Sequence, residues 1–244
     1  MSEQPILEAS NIVKFLGSGA AEVKALKGVS LELMPGELTL LMGPSGSGKT
    51  TLLSILGCIL TPSEGTLRIG KNMATGLTSE GMADLRRRHV GFVFQSYNLV
   101  PTLTAAENVM LALELRGTPL SEAPGIAENA LKQVKLAHRA HAYPSKLSGG
   151  EKQRVAIARS LAGSPSVILA DEPTAALDSE NGKAVMALLS EVAKDKGRGI
   201  LVVTHDHRTL SYADRLVRIE DGKIVGRARR RARPGDGAAA AADH

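Results

Sequence analysis

The sequence has few aromatic residues. Phenylalanine, tyrosine and tryptophan together make up 2% of its 244 residues, and tryptophan is absent. Proteins that hold single-stranded nucleic acid usually stack the bases on aromatic side chains. The scarcity of such side chains therefore argues against a nucleic-acid partner, and we expect none.

The sequence also lacks paired cysteines and long apolar runs. Its single cysteine, Cys58, cannot form an internal disulfide, which favours a reducing compartment. No stretch approaches the roughly eighteen uncharged apolar residues of a membrane-spanning helix. The start, MSEQPILEAS, has no basic segment followed by an apolar run. We therefore expect no signal peptide and no direct membrane insertion, so that any work at a membrane needs a partner.

The basic charge is concentrated at one end of the chain. The formal net charge is +5, and residues 227–244 hold five arginines against two aspartates, so that this tail carries +3 and the rest +2. A nucleic-acid binder more often carries its charge on the fold. We expect residues 227–244 to be disordered and assign them no function. Contact with anionic lipid, at about 1 kcal/mol per basic residue, is the alternative.

Segments with strand and helix patterns alternate along most of the chain. Near the start, ILEASNIVKF and LKGVSLEL alternate apolar and polar residues, as half-buried strands do. DRLVRIEDGKIVG predicts a closing hairpin with Asp-Gly at its turn. Short apolar runs typical of buried parallel strands lie at 38–42, 90–94, 166–170 and 199–204.

This alternation predicts an α/β fold with a mostly parallel sheet and an antiparallel β part at the N-terminus. Residues 96–162 have helical periodicity broken by proline and glycine, which indicates an inserted α-helical subdomain. We therefore expect one domain over residues 1–226, with its core at 1–95 and 163–226.

The segment GPSGSGKT fits the phosphate-binding pattern G-x-x-x-x-G-K-[S/T]. Its glycines let backbone N–H groups turn towards a phosphate, and the following helix adds the positive end of its dipole. Lys49 is expected to reach the β- and γ-phosphates, and Thr50 to offer its hydroxyl to Mg²⁺. A flexible Gly-Ser loop is the alternative, but the flanking strand and helix patterns favour a P-loop NTPase core. The predicted nucleotide-binding residues are Gly43, Pro44, Ser45, Gly46, Ser47, Gly48, Lys49, Thr50 and Thr51.

Polar residues follow three of the apolar runs. Asp171 and Glu172 come directly after VILA, Gln95 follows GFVF, and His205 follows LVVT. Each could be a plain strand-end residue. The carboxyl ends of parallel strands share one edge, however, and phosphoryl transfer needs both a metal holder and a group that orients water. We therefore predict that Asp171 holds Mg²⁺ and that Glu172 polarises the attacking water.

A second glycine turn, KLSGGEKQR at residues 146–154, completes an ordered set of motifs. Over roughly residues 5–226 the chain resembles the ATP-binding cassette ATPases. The matching motifs are the P-loop GPSGSGKTT, Gln95 as the Q-loop, LSGGEKQR as the family signature, VILADE as the Walker B strand, ALD at 176–178 as the D-loop and His205 as the switch histidine.

The resemblance implies that two such domains pair head to tail as a homodimer with ATP. Ser148, Gly149 and Gly150 of one subunit would then close on the γ-phosphate held by the P-loop of the other. A helix N-terminus behind these residues suits that role, and a plain Ser-Gly helix cap is compatible with it. Asp178 would cross the dimer interface.

Further roles are implied by the same resemblance. Gln95 would touch Mg²⁺ and the attacking water while linking to a membrane partner, and His205 would hold the γ-phosphate and Glu172 in line. Phe15, expected just after a strand, would stack on adenine, with a core or edge position as the alternative. The expected catalytic residues are thus Lys49, Gln95, Glu172 and His205, and the expected metal ligands are Thr50, Gln95 and Asp171.

Within the family, GPSGSGKTTLLSILG and GFVFQSYNLVPTLTAAENV are most similar to ATPase subunits of bacterial lipoprotein-release and macrolide-export systems. This implies a subunit at the cytoplasmic face of the plasma membrane that powers an integral membrane permease. A regulatory ATPase of cell division and an amino-acid importer subunit remain alternatives. A soluble DNA-repair or translation ATPase is disfavoured, because those usually carry a coiled-coil or zinc insertion or a second cassette.

Overall fold

The computed structural model describes residues 4–229, so most of the predicted tail, residues 230–244, lies outside the described residues. The strands are β1 (Leu7–Leu16), β2 (Val23–Leu33), β3 (Leu38–Met42), β4 (Glu64–Ile69), β5 (Asn72–Met73), β6 (Val90–Val93), β7 (Val167–Asp171), β8 (Gly199–Val203), β9 (Arg215–Glu220) and β10 (Lys223–Arg229). The α-helices are α1 (Lys49–Leu56), α2 (Ser79–His89), α3 (Ala105–Glu114), α4 (Ala123–Gln133), α5 (Gly149–Leu161) and α6 (Ser179–Val192).

The larger of two sheets has the strand order β10-β9-β3-β8-β7-β6. Its strands pair in parallel from β9 to β6, and only β10 is antiparallel to its neighbour. Strands β3 and β8 are buried at every position, because each is an apolar run covered on both faces. This sheet confirms the predicted mostly parallel core.

The smaller sheet is antiparallel and has the order β2-β1-β4-β5. It confirms the antiparallel part expected near the N-terminus. Its inward side chains, such as Leu7, Ile12 and Leu67, pack with Leu52 and Ile55 of α1 in one buried cluster. The P-loop helix is thus held between the two sheets.

Helices α3, α4 and α5 pack against one another within the predicted insertion. Their apolar faces include Val109, Leu131 and Val155, all fully buried. Asn108, also fully buried, accepts a hydrogen bond from the N–H of Val100 (2.8 Å) and donates to backbone carbonyls of the same loop. No helix between residues 4 and 229 is long and apolar enough to cross a membrane.

Three elements were not predicted from the sequence: β4, β5 and α2. Strand β5 has two residues, and α2 buries only Met82 and Leu85 while ending in consecutive basic residues, so neither has a strong periodic pattern. Strand β10 also extends to Arg229, past the predicted boundary at 226. Pairing with β9 and an ion pair from Arg229 to Glu37 hold these last basic residues in the sheet.

Candidate active site

The P-loop connects buried β3 to α1. Gly46 and Gly48 have φ angles of 77° and 98°, which only glycine adopts without strain. The Lys49 ammonium group donates to the carbonyl oxygens of Gly43 (2.8 Å) and Pro44 (2.7 Å), so that the loop wraps around it. The hydroxyl of Ser47 is buried and has no hydrogen-bond partner among the described residues, which leaves it free to bind a phosphate oxygen.

Two P-loop glycines are also required by close packing. A Cβ atom at Gly43 would lie 2.0 Å from the carbonyl oxygen of Ile219, and one at Gly48 would lie 2.9 Å from that of Ala25. Strands β9 and β2 therefore lie in close contact with the loop at these two glycines. Of the other predicted phosphate-binding residues, Pro44, Ser45, Gly46 and Thr50 are exposed, and Thr51 is partly buried.

The sheet brings the predicted catalytic residues to one edge. Strands β3, β8, β7 and β6 are consecutive neighbours, and they lead into the P-loop, His205, Glu172 and Gln95, respectively. The N–H of Thr204 bonds to the carbonyl of Leu41 at 3.2 Å, and the N–H of Glu172 bonds to that of Val203 at 2.9 Å. These bonds continue the sheet past the strand ends.

Glu172 and His205 are in direct contact. The imidazole Nδ1 lies 2.8 Å from Oε1 of Glu172. The Glu172 side chain is 16% exposed, whereas that of His205 is 73% exposed and open to a ligand. Glu172 has a φ of 46°, a left-handed conformation that is costly for a non-glycine residue and that recurs at functional sites.

Asp171 ends β7 and is half-buried. Burial raises the pKa of its carboxyl group, the negative charge of Glu172 raises it further, and the Lys49 ammonium group opposes both. A bound cation would offset this unfavourable charge. The Asp171 carboxylate, the Thr50 hydroxyl and the Gln95 amide oxygen are the hard ligands that Mg²⁺ prefers, so the predicted donor set fits this ion.

Gln95 lies two residues beyond β6 and is exposed. It follows Phe94, whose ring stacks on Phe92 with the ring centroids 5.5 Å apart. Because β6 is the edge strand beside β7, Gln95 begins a loop next to the acid pair.

The predicted signature residues form the N-terminus of α5. The Ser148 Oγ accepts from the N–H of Glu151 (3.2 Å), and the Glu151 carboxylate accepts from the N–H of Ser148 (2.8 Å). This capping box, not recognised in the sequence, follows from the spacing S-x-x-E. Ser148 is exposed, and a Cβ at Gly150 would lie 2.3 Å from Oδ1 of Asn181. The helix begins at Gly149, two residues earlier than predicted.

Asp178 is exposed and caps α6. Its carboxylate accepts from the N–H of Asn181 at 2.9 Å and from the side-chain amide of Asn181 at 2.7 Å. The first of these bonds lowers the pKa of Asp178. The carboxylate is therefore ionised and held at the surface, beside the Asn181 side chain that packs on Gly150.

Phe15 lies within β1, not after a strand as predicted. The ammonium nitrogen of Lys24 sits 5.3 Å from the centroid of its ring, and the same two residues pair across β1 and β2. The next residue along β2, Ala25, is the one whose carbonyl oxygen lies against Gly48. Phe15 is therefore partly exposed at the side of the P-loop.

Comparisons with known proteins identify the family. The pattern of the ABC transporter family matches residues 26–175. The chain is 43% identical over 222 residues to the macrolide export ATP-binding/permease protein MacB of Shigella flexneri, and 44% identical over 225 residues to that of Brucella melitensis. These alignments cover 91% and 92% of this chain but 34% and 35% of the relatives, so the chain spans about a third of their length.

Solved structures agree with the sequence comparison. A dimer of the ATP-binding cassette MJ0796, bound to ADP and Pi, matches with a TM-score of 0.83 and 40% identity, over 93% of this chain and 99% of that one. The cassette CbiO1 of Clostridium perfringens matches with the same TM-score at 30% identity, over 93% of this chain and 89% of that one. The chain therefore belongs to the ABC transporter family and is one of its ATPase cassettes.

Proposed function

We propose that this cassette hydrolyses MgATP as a head-to-tail dimer with a second copy of itself and thereby powers an integral membrane permease. The observation that carries the catalytic part is the single sheet edge, where Lys49, Glu172 and His205 follow adjacent strands and Glu172 contacts His205 at 2.8 Å. This edge supplies a phosphate cradle, a carboxylate base and a histidine in one place, which is what phosphoryl transfer to water requires.

Each predicted site residue has a separate role in ATP hydrolysis. Lys49 and the P-loop N–H groups hold the β- and γ-phosphates, and the Glu172 carboxylate accepts a hydrogen bond from the attacking water and takes its proton. An ionised carboxylate only accepts, so His205 donates to it from Nδ1 and keeps the carboxylate aimed. Thr50, Gln95 and Asp171 would hold Mg²⁺, which neutralises charge on the phosphates when bound.

The dimer explains why the chain has two glycine turns. The P-loop would bind the subunit's own ATP. The turn Ser148–Gly150, in which Ser148 is exposed and Gly150 is buried, would meet the γ-phosphate in the partner subunit through its exposed end. The N-terminus of α5 points its dipole out of this turn, which favours an anion. The similar cassette MJ0796 is dimeric, which supports a dimer of this chain.

A groove between α2, α3 and β6 offers a docking place for the membrane subunit. It has a volume of about 630 Å³, and apolar side chains that include Phe92, Phe94 and Leu111 line it. Arginine side chains, among them those of Arg86, Arg87 and Arg116, also line it. A short amphipathic helix of the permease fits such a groove, and it would bring the cassette to the cytoplasmic face of the membrane.

The macrolide-export relatives favour an exporter or lipoprotein-release type of system. In those relatives the cassette accounts for about a third of a protein named as both ATP-binding and permease. The transported molecule would be selected by the membrane part, since the described cassette residues contain a nucleotide site and a docking groove.

Glu172→Gln tests the catalytic proposal. It keeps the shape of the side chain but removes the base, so the variant should bind ATP normally and show kcat reduced by about 10² to 10⁴. ATP should then trap a dimer, visible by size-exclusion chromatography with light scattering. Glu191→Gln, at an exposed carboxylate of α6, is the matched control and should behave as the wild type. Turnover of Glu172→Gln at the wild-type rate would show that another group is the base.

The trapped dimer also tests the transport proposal. Tagged Glu172→Gln, expressed in its native cells and purified from gently solubilised membranes, should retain an integral membrane protein. A four-span protein with a large external domain would support the exporter or lipoprotein-release system. A permease with a binding protein would instead indicate an importer, and recovery of no membrane protein would contradict the transport function.

A further inference from the structure

The segment that carries Gln95 makes a strained turn. Tyr97 and Asn98 have φ angles of 64° and 50°, so two consecutive non-glycine residues adopt the left-handed conformation. Such residues persist only where the surrounding structure holds them, and a bulky residue such as tyrosine is uncommon there. Contacts from the surrounding structure must therefore stabilise the turn after Gln95.

Arg159 of α5 binds this turn at both strained residues. Its guanidinium donates to the carbonyl oxygen of Tyr97 at 2.8 Å and also to that of Asn98. The guanidinium group is a planar fork, which suits two neighbouring acceptors, whereas an ammonium group is a single point charge. The contact spans 62 positions of sequence and joins α5 to the turn that follows Gln95.

Helix α5 contacts the same segment at two further places. Gln153 is fully buried, and its side-chain amide donates to the carbonyl of Phe94 at 3.4 Å. A Cβ at Gly149 would lie 3.0 Å from the Tyr97 hydroxyl, so the hydroxyl end of the tyrosine side chain lies close to a signature glycine. Phe94, Tyr97 and Asn98, at the two ends of the segment 94–98, are thus all attached to α5, the helix that Ser148 caps.

We propose that Arg159 is a positioning residue. It joins the Gln95 loop (residues 94–98) and the signature turn (residues 148–150) into one rigid unit. This inference rests on the proposed head-to-tail dimer, in which Gln95 faces the subunit's own nucleotide and Ser148–Gly150 faces the partner's. A shift of Gln95 on ATP binding is then transmitted through Arg159 and α5 to the signature turn. The P-loop is formed without Arg159, so nucleotide binding by one subunit does not depend on it.

The test compares three variants of the purified chain. Arg159→Ala removes both carbonyl bonds, and Arg159→Lys retains one charged donor. Arg198→Ala is the matched control, since Arg198 is also largely buried and bonds to a carbonyl, that of Pro165 (3.3 Å). Its partners Pro165 and Asp195 belong to neither loop. For each variant we would measure the thermal midpoint, the affinity of the monomer for a fluorescent ATP analogue, kcat and KM.

Arg159→Ala should lower kcat about tenfold, because charge-assisted hydrogen bonds that hold the turn are lost. Monomer affinity should stay within about threefold, and Arg159→Lys should recover part of kcat. In the Glu172→Gln background, Arg159→Ala should need about tenfold more ATP to form the dimer. Arg198→Ala should match the wild type in kcat.

Several results would overturn the inference. The first is a wild-type kcat for Arg159→Ala. The second is a fall in the kcat of Arg198→Ala as large as that of Arg159→Ala. The third is a joint fall of kcat and monomer affinity in Arg159→Ala. If Arg159→Ala does not fold, Arg159→Lys carries the same test through its kcat and its dimerisation. Failure of the wild type to hydrolyse ATP, or of Glu172→Gln to dimerise, would instead contradict the proposed function itself, so the two failures are distinguishable.

Discussion

The P-loop and the signature turn are both glycine-rich segments that precede a helix, yet the two helix N-termini are capped differently. In α1 the residue before the helix is Gly48, which has no side chain to cap the first N–H groups. In α5 that residue is Ser148, and a complete capping box with Glu151 satisfies two of the backbone donors.

The two segments also differ in burial: side chains of the P-loop are more buried than Ser148 of the signature turn. Lys49 is 9% exposed and Ser47 is 3% exposed, whereas Ser148 is open to solvent. Two of the predicted phosphate-binding side chains of the P-loop, Ser47 and Lys49, thus lie inside the fold, where β2 and β9 contact the loop. The signature turn is satisfied by its own residues and presents its Ser148 hydroxyl outwards. This difference is what two sites for two different nucleotides would need, one internal and one across an interface.

Replacing Lys49 should give the largest effect on this comparison. Lys49→Ala removes the ammonium group at the centre of the P-loop, and charge-assisted bonds to phosphate are worth about 1.5–3 kcal/mol each. ATP affinity of the monomer should fall by about 10², measured by titration with a fluorescent analogue, and hydrolysis should fall with it. Lys194→Ala, at an exposed lysine beyond α6, is the control. Unchanged affinity of Lys49→Ala would remove the P-loop from the nucleotide site.

Replacing Ser148 should give a smaller effect and leave the monomer intact. Ser148→Ala should keep ATP affinity within about twofold but lower dimer formation in the Glu172→Gln background by about tenfold, because a charge-assisted bond to phosphate is lost. The missing cap also costs about 1 kcal/mol of stability.

Ser148→Asp separates these two effects. Aspartate is a good helix cap, so thermal stability should be retained, but its negative charge would face the partner's γ-phosphate and abolish the dimer. Size-exclusion chromatography with ATP gives the dimer fraction, and thermal melting gives the stability. A dimer formed by Ser148→Asp would contradict the predicted role of the signature turn.

The smallest expected effects are on stability, and they have opposite signs at the two sites. The hydrogen bond from the Ser148 N–H lowers the pKa of Glu151, so its ionisation stabilises the fold at neutral pH and this gain is lost as pH falls through the folded pKa. Burial raises the pKa of Asp171, so its ionisation costs stability, and this cost is relieved as pH falls.

Thermal melting at pH 7 without nucleotide should therefore show Glu151→Gln below the wild type and Asp171→Asn above it. A change of 1 kcal/mol corresponds to about 2–4 °C for a chain of this size. Both differences should shrink at the lowest pH at which the wild type remains folded. A destabilising Asp171→Asn would mean that the carboxylate is needed for folding and not only for function.

Much of the core could be predicted because its signals are local. The bounds of β3 match the apolar run LTLLM, which a Pro-Gly turn precedes and a glycine follows. The placing of polar residues after apolar runs also predicted the shared edge for Asp171, Glu172 and His205. Helix α2 and β5 were missed because their burial is slight, and Phe15 was placed after β1 instead of within it because strand ends have weak signals.

The sequence by itself determined the family and the phosphate loop, because glycines at obligatory positions and the spacing of short motifs depend only on local backbone geometry. Only the tertiary structure decided that β8 lies between β3 and β7, which brings His205 to Glu172, and that Arg159 binds the turn after Gln95. These contacts join residues 33 and 62 positions apart. The physical reason is that periodicity shows which face of a strand or helix is buried but not which neighbour covers it.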